Sequence, residues 1–268
     1  MFDLKPLFGF GLALVWFCSP VLAQDSGADL NADAVQQKNE QTGGFLPILQ
    51  RNPSSAEIDQ QEDLWILDVA FKPMRMIPLQ MTNPKTGEKE RQTVWYLVYK
   101  IRNTPVDRPA DAANQVPINI EDDRRIGNIF VPEFELVTHD NDQTRSYRDV
   151  IHPEAVALIA KRERLPLKSS IAISGDLGKV GTDEFQYGVA IWTDVDPNTD
   201  FFTLYVSGFS SAYRINPENK VLQKRTIVME YARPGDEYEE VEREFRPQND
   251  PVWIYRPTEV KVDQTASK

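Results

Sequence analysis

Apolar and polar residues alternate with a period of two through much of this chain, and that rhythm restricts the fold more than any other feature. In Leu64 to Lys72, Trp65, Leu67, Val69 and Phe71 share one face. Thr93, Trp95, Leu97, Tyr99 and Ile101 do the same in Thr93 to Arg102. Between Ile129 and Thr138, Phe130, Phe134 and Leu136 point one way and Glu133 and Glu135 the other. Further runs span Phe185 to Thr193, Phe201 to Phe209, Thr226 to Ala232, Tyr238 to Phe245 and Val252 to Tyr255, with Met74 to Met81 as an additional strand. Successive strand side chains point to opposite faces, and aromatic and β-branched residues suit a pleated, half-buried surface. Asn83-Pro-Lys-Thr-Gly87 supplies turn formers between two of the runs.

One stretch reads as a helix. Pro153 to Arg164 carries Ala155, Val156, Leu158 and Ile159 on one face, opens with Pro in its first turn and closes on Lys161-Arg-Glu-Arg164. It is expected to cap one end of a sheet sandwich. Many short strands with one helix predict an all-β fold, an antiparallel β-sandwich of immunoglobulin-like or jelly-roll-like kind. A split near Asp149 would leave the first half too few strands to close a core, so a single domain over 61–257 is expected.

Flanking segments differ in composition. Met1 to Lys5 forms a short head with one Lys, Leu7 to Phe17 is apolar, and Pro20-Val-Leu-Ala23 supplies a break and a small residue before Gln24. That order predicts a signal peptide over 1–23, cut after Ala23, with an apolar run about half as long as a spanning helix. A lipid anchor on Cys18 is not expected, because Val15-Trp16-Phe17 is too bulky for a lipobox and Pro20 follows closely. Residues 24–60, rich in Gln, Asn, Asp, Ser and Gly, read as a disordered linker; Phe45-Leu-Pro-Ile-Leu49 is an apolar island that could dock on the body or on a partner, with a sticky patch on the tether as the preferred reading. Residues 258–268 read as a disordered tail.

Cys18 is the single cysteine, so the exported chain would carry none. Disulfides, thiolate metal sites and a cysteine nucleophile are thereby excluded, and the core alone must hold the fold. The net charge of −11 opposes binding to nucleic acid or to anionic lipid.

The densest polar cluster, Thr193-Asp-Val-Asp-Pro-Asn-Thr-Asp200, places Asp194, Asp196, Asn198 and Asp200 at alternate positions, as the opening of a calcium loop does. Thr199 and Tyr205 then stand where such a loop needs Gly and Glu, and a hairpin turn joining two aromatic strands accounts for the same residues. His139 and His152 are the only histidines, one in a loop and one at a helix entry, too few for a three-histidine zinc site. Ser207-Gly-Phe-Ser-Ser211 matches a nucleophile elbow in composition only, and Gly175-Asp-Leu-Gly-Lys-Val-Gly181 lacks phosphate-loop spacing. For a glycosidase pair, Asp68 is the best carboxylate, on a face with Leu64, Ile66 and Ala70, and Glu230 beside Val228 is next; a buried hydrogen-bonded group or an edge charge explains either. Among Trp65, Trp95, Trp192 and Trp253, with Tyr96, Tyr99, Tyr187, Tyr205 and Tyr255, core filling is the default. Trp192 and Tyr96 are the rings expected to face outward. Glu237-Tyr-Glu-Glu-Val-Glu-Arg-Glu244 reads as a charged outer edge.

Gly188-Val-Ala-Ile-Trp192, Phe201-Phe-Thr-Leu-Tyr-Val-Ser-Gly208 and Gln92-Thr-Val-Trp-Tyr-Leu-Val-Tyr99 resemble uncharacterised secreted bacterial proteins of the domain-of-unknown-function kind. The resemblance covers about thirty strand-core residues; it implies a bacterial envelope setting and carries over no site residue. The expectation is an exported, non-catalytic structural or binding component of the envelope (periplasmic, envelope-bound or secreted), without catalytic, cofactor or metal residues, whose partner is an envelope protein or a glycan. Carbohydrate binding or hydrolysis through an aromatic face, and calcium-assisted adhesion through the 194–200 loop, are the alternatives.

Overall fold

The computed structural model describes residues 43–61, 63–82, 86–106, 129–139, 144–177, 184–196, 199–233 and 245–258. Residues 1–23, read as a signal peptide, residues 24–42 of the expected linker, the run Tyr238 to Glu244 and the expected tail beyond Thr258 lie outside the described residues.

Two antiparallel sheets pack face to face, as the alternation predicts. The first is built on β3 (Lys89–Arg102), which carries both β1 (Asp68–Phe71) and β2 (Arg75–Thr82) along one edge and β8 (Gln186–Trp192) along the other. The register places Phe71 opposite Tyr99 and Arg75 opposite Tyr96, so Lys72, Pro73 and Met74 face only Leu97 and Val98. One extra residue is thus inserted between β1 and β2. The β-bulge falls where Pro73, which has no N–H to donate, would interrupt the ladder.

The second, seven-stranded sheet is built on β11 (Leu222–Ala232). β9 (Phe201–Ser207) and β10 (Tyr213–Ile215) pair with it, as do β12 (Arg246–Pro247) and β13 (Val252–Pro257). β5 (Glu133–Thr138) pairs with β9, and β6 (Arg145–Arg148) lies beyond it. β4 (Ile129–Phe130) and β7 (Gly175–Asp176) form a small separate pair.

The facing sides make the principal core: Leu67, Val69, Trp95, Leu97 and Trp192 from the first sheet meet Phe134, Leu136, Phe202, Leu204 and Met229 from the second. Apolar burial on this scale contributes roughly 2 kcal/mol per large side chain. It supplies the cohesion that a cross-link-free domain needs.

The helix α2 (Pro153–Glu163) does not cap an end of the sandwich. Ala155 and Ile159 lie instead on the outer face of the first sheet, against Ile77, Met81, Val94, Tyr96, Val98, Val189 and Ile191. The ring Nδ1 of His152 accepts from the amide of Ala155 at 3.2 Å, so this histidine is the N-cap, and Arg164 closes the helix at φ +56°. The first sheet is therefore covered on both sides. That corrects the outward placement of Trp192 and Tyr96, each 1% exposed: the alternation separates them onto opposite faces, but both faces are buried. Tyr96 lies under the helix and donates its hydroxyl to Glu163 at 2.9 Å, and Trp192 sits between the sheets.

Residues 43–60 do not behave as a linker. The amides of Leu46 and Leu49 donate to the carbonyls of Phe71 and Val69, both at 2.8 Å, laying this segment along the edge of β1. Phe45 is buried, with the ammonium groups of Lys72 and Lys100 about 5 Å from its ring. A short helix α1 (Ser55–Gln60) follows, closed by a capping box in which Ser54 and Glu57 exchange backbone and side-chain hydrogen bonds. The third helix, α3 (Ser170–Ile173), is a single turn capped by Ser169.

Candidate functional site

The carboxylates favoured for acid–base chemistry are each engaged structurally. Asp68 receives Arg51 at 3.2 Å, Arg102 at 3.1 Å and the hydroxyl of Thr104 at 2.6 Å. Glu230 is exposed on β11 of the other sheet and accepts from Asn249 at 2.8 Å. The fold does not bring the two together. Held by two guanidiniums and a hydroxyl, the Asp68 carboxylate has its oxygens committed to structural partners.

The 193–200 segment is not a hairpin. β8 and β9 belong to different sheets, so it is a crossover between them, and its polar residues serve the corner. Asp196 pairs with Arg145 at 3.5 Å, its carbonyl accepts from Thr199, and the carbonyl of Asp200 accepts from the amide of Arg233 at 2.6 Å. Asn198 lies outside the described residues. No group of three or more His, Cys, Asp or Glu side chains is placed to hold a metal among the described residues. His139 bonds Thr203 through its Nε2 at 2.7 Å.

In the elbow-like stretch, Gly208 adopts φ +84°, and a Cβ there would lie 1.9 Å from the carbonyl oxygen of Val131. That glycine lets the chain leave β9 against a neighbouring backbone. Ser211 is bound to backbone groups, including the amide of Trp65 at 3.0 Å, rather than to a base.

Where the first sheet is covered twice, the second is open. Its outward positions carry Glu133 and Glu135 on β5, Arg148 on β6, Tyr205 and Ser207 on β9, Lys224 and Thr226 on β11, and Arg256 on β13. They line a cleft of about 460 Å³. A second cleft of about 300 Å³ adjoins it, with Trp65, Ile129, Val131 and Tyr213 in its walls; Glu133, Ser207 and Lys224 belong to both. Together they form one groove, aromatic and apolar at one end and charged at the other. Ile129, Val131 and Tyr213 are about half exposed there.

The charged end is ordered from within. Arg256 donates to Glu135 and lies 4.0 Å from the centre of the Tyr205 ring, a cation–π contact beneath an ion pair. Partial burial alone would raise the Glu135 carboxyl, but hydrogen bonds from Ser146 and Arg256 hold it below the usual carboxylate range. Asp149, behind Arg148, moves the other way, raised chiefly by burial although Ser170 donates to it. Arg148 stands opposite Glu135 in the register, and its charge favours the ionised forms of both Glu135 and Asp149, while Lys224 is exposed at the junction of the two clefts.

Sequence reasoning reached Tyr205 and the outward Glu133 and Glu135, but not Arg148, Lys224 or Arg256 as one group. Those three lie on different strands, and only the pairing of β6, β5, β9, β11 and β13 brings them together. Compared with protein-family models, with curated proteins and with solved structures, the chain matches none.

Proposed function

We propose that this chain is an exported, non-catalytic binding component of the bacterial cell envelope, and that it binds through the outer face of the seven-stranded sheet. The observation that carries this reading is the asymmetry of the two sheets. One is sealed beneath α2 and the 45–49 segment, whereas the other presents a continuous groove lined by charged, hydroxyl-bearing and aromatic side chains. Pockets with a few convergent polar groups are the default binding sites of a fold. A binding rather than catalytic role is supported by Asp68, neutralised in place by Arg51 and Arg102, and by Glu230, on the far sheet.

Export is supported by the charged head, apolar run and small-residue break of 1–23. No helix among the described residues is long and apolar enough to cross a membrane. Fractionation of cells carrying a C-terminally tagged chain tests the address. The native protein is expected in the envelope or medium with Gln24 at its amino terminus; a cytosolic protein starting at Met1 would overturn the reading.

A further inference from the structure

From the free edge of β13 we infer that two copies of this chain pair there, strand to strand about a two-fold axis, joining their seven-stranded sheets. The inference goes beyond the groove, and the pairing does not depend on what the groove binds.

β13 lies at a margin of its sheet and pairs with β11 alone. The amide of Thr258 donates to the carbonyl of Leu222, while that of Arg225 on β11 turns the other way, to Ala212. Continued along the register, this alternation points the backbone groups of Val252, Ile254 and Arg256 at β11 and those of Trp253 and Tyr255 at the open edge. No backbone group takes those two amides among the described residues. The strand is fixed from its inner side: the indole of Trp253 donates to the carbonyl of Gln50 at 3.1 Å, and the hydroxyl of Tyr255 to Glu57. Val252 and Ile254 are exposed on the outer side.

An edge of this kind is a template for another strand, and its sequence is matched to itself. Pro251 and Pro257 flank Ile254 symmetrically, and neither has an N–H to give. Antiparallel pairing centred on Ile254 bonds Trp253 of each copy to Tyr255 of the other and leaves both prolines outside the bonded pairs. Shifting the register either way brings a proline into them. The two Ile254 side chains then meet across the axis, and Val252 lies opposite the aliphatic stem of Arg256 of the second copy.

Charge agrees with this pairing. Asp250, exposed and without an ion pair among the described residues, precedes the strand, and Arg256 lies near its other end. Reversal of one copy brings each Asp250 beside Arg256 of the other. Arg256 already holds Glu135, but a guanidinium has several donors and can serve a second carboxylate. Lys224, opposite Arg256, and Glu230, bonded to Asn249, add to the two ends in the same sense; Arg246 lies further out, opposite Ala232. A strand from another protein would need the same missing donors and the same reversed charge. The net charge of −11 and the six-residue length of the edge make the dimer weak. The contact is isologous and closes at two copies. Its axis runs perpendicular to the sheet, so both grooves open on one side; on the binding role proposed above, that offers one partner two faces.

The test uses protein purified from cells expressing the full chain on a Cys18→Ser background. Sedimentation equilibrium is expected to show the mass rising from monomer toward dimer between about 1 µM and 1 mM, as a small interface implies. Ile254→Cys is expected to form an intermolecular disulfide on mild oxidation, because opposed residues of such a pair lie about 4.5 Å apart at Cα. Val252→Cys, offset in the register, is expected to stay reduced. Ile254→Lys and Asp250→Lys should each weaken dimerisation about tenfold at an unchanged melting temperature, since both positions are exposed. A monomer across the whole range, disulfides from Val252→Cys as readily as from Ile254→Cys, or dimerisation untouched by both lysine variants would overturn the inference. So would Ile254→Cys cross-linking only to a different envelope protein, which would give the strand to that partner and leave the groove reading in place.

Discussion

The Tyr99 ring fills the space that a side chain at Gly188, its partner on the neighbouring strand, would need. A Cβ at 188 would lie 2.2 Å from the Tyr99 Cζ and 2.5 Å from its hydroxyl oxygen. Tyr99 is fully buried, among Phe134 and Phe209, so it has nowhere to retreat. Gly188→Ala is expected to destabilise the fold by about 3 kcal/mol, at the upper end of overpacking costs. Urea denaturation measures this, and an unchanged midpoint would contradict the packing described.

Glu57 and Arg225 tie the amino-terminal segment to the second sheet. Arg225 reaches Glu57 at 3.0 Å and also donates to the carbonyls of Arg51 and Asn52, while the hydroxyl of Tyr255 donates to the same Glu57 carboxylate. Arg225→Ala leaves that carboxylate without its buried countercharge and is expected to cost about 3 kcal/mol. Limited proteolysis of the variant should cut within 50–61 before the strands, whereas the parent resists there.

Among the described residues four carboxyls are held low in the fold, Glu57, Glu135, Glu154 and Glu163, and all but the exposed Glu154 are partly buried. Burial alone would raise Glu163, but hydrogen bonds from Lys72 and Tyr96 and the charge of Arg75 hold it below its ordinary value of 4.5. Glu57 and Glu135 are likewise lowered. A carboxyl depressed in the fold contributes stability that is complete above its unfolded pKa and is lost as pH falls through the folded one. Asp149, raised in the fold, acts in the opposite direction but alone. Stability should therefore fall as pH drops below 4.5. Glu163→Gln should be less stable at neutral pH and decline less steeply in acid, as read from denaturation midpoints across pH.

Trp192, opposite Trp95 in the register, is a core residue. Trp192→Ala is expected to lower stability by about 4 kcal/mol and to leave ligand affinity of the remaining folded protein unchanged. Affinity lost without loss of stability would place the ring on a binding face instead.

The alternation of Phe130, Phe134 and Leu136 against Glu133 and Glu135 survives intact in the fold, because strand sidedness is a local property of the pleat. Whether the second face is also covered is not local. Tyr96 read as outward because nothing in its own strand reveals α2 above the first sheet, and Trp192 because nothing in its strand reveals the second sheet packed over it. The 193–200 corner read as a hairpin because turn formers do not report which sheet the next strand joins. Ser54 and Glu57 did carry a capping-box spacing that marks α1, and Phe45 an apolar anchor, within a segment whose composition suggested disorder. β6 escaped because Arg145-Ser-Tyr-Arg148 has no apolar alternation to detect. The groove was invisible for the most physical reason: its cations come from strands far apart in sequence.

Site-specific photo-crosslinking in the native envelope tests the central claim most directly. A benzophenone side chain placed at Arg148, on the open sheet face, is compared with one at Leu158, exposed on the helix that seals the other sheet. The account predicts a discrete adduct from 148 and none from 158. Adducts of equal yield at both positions, or an adduct from 158 alone, would contradict it.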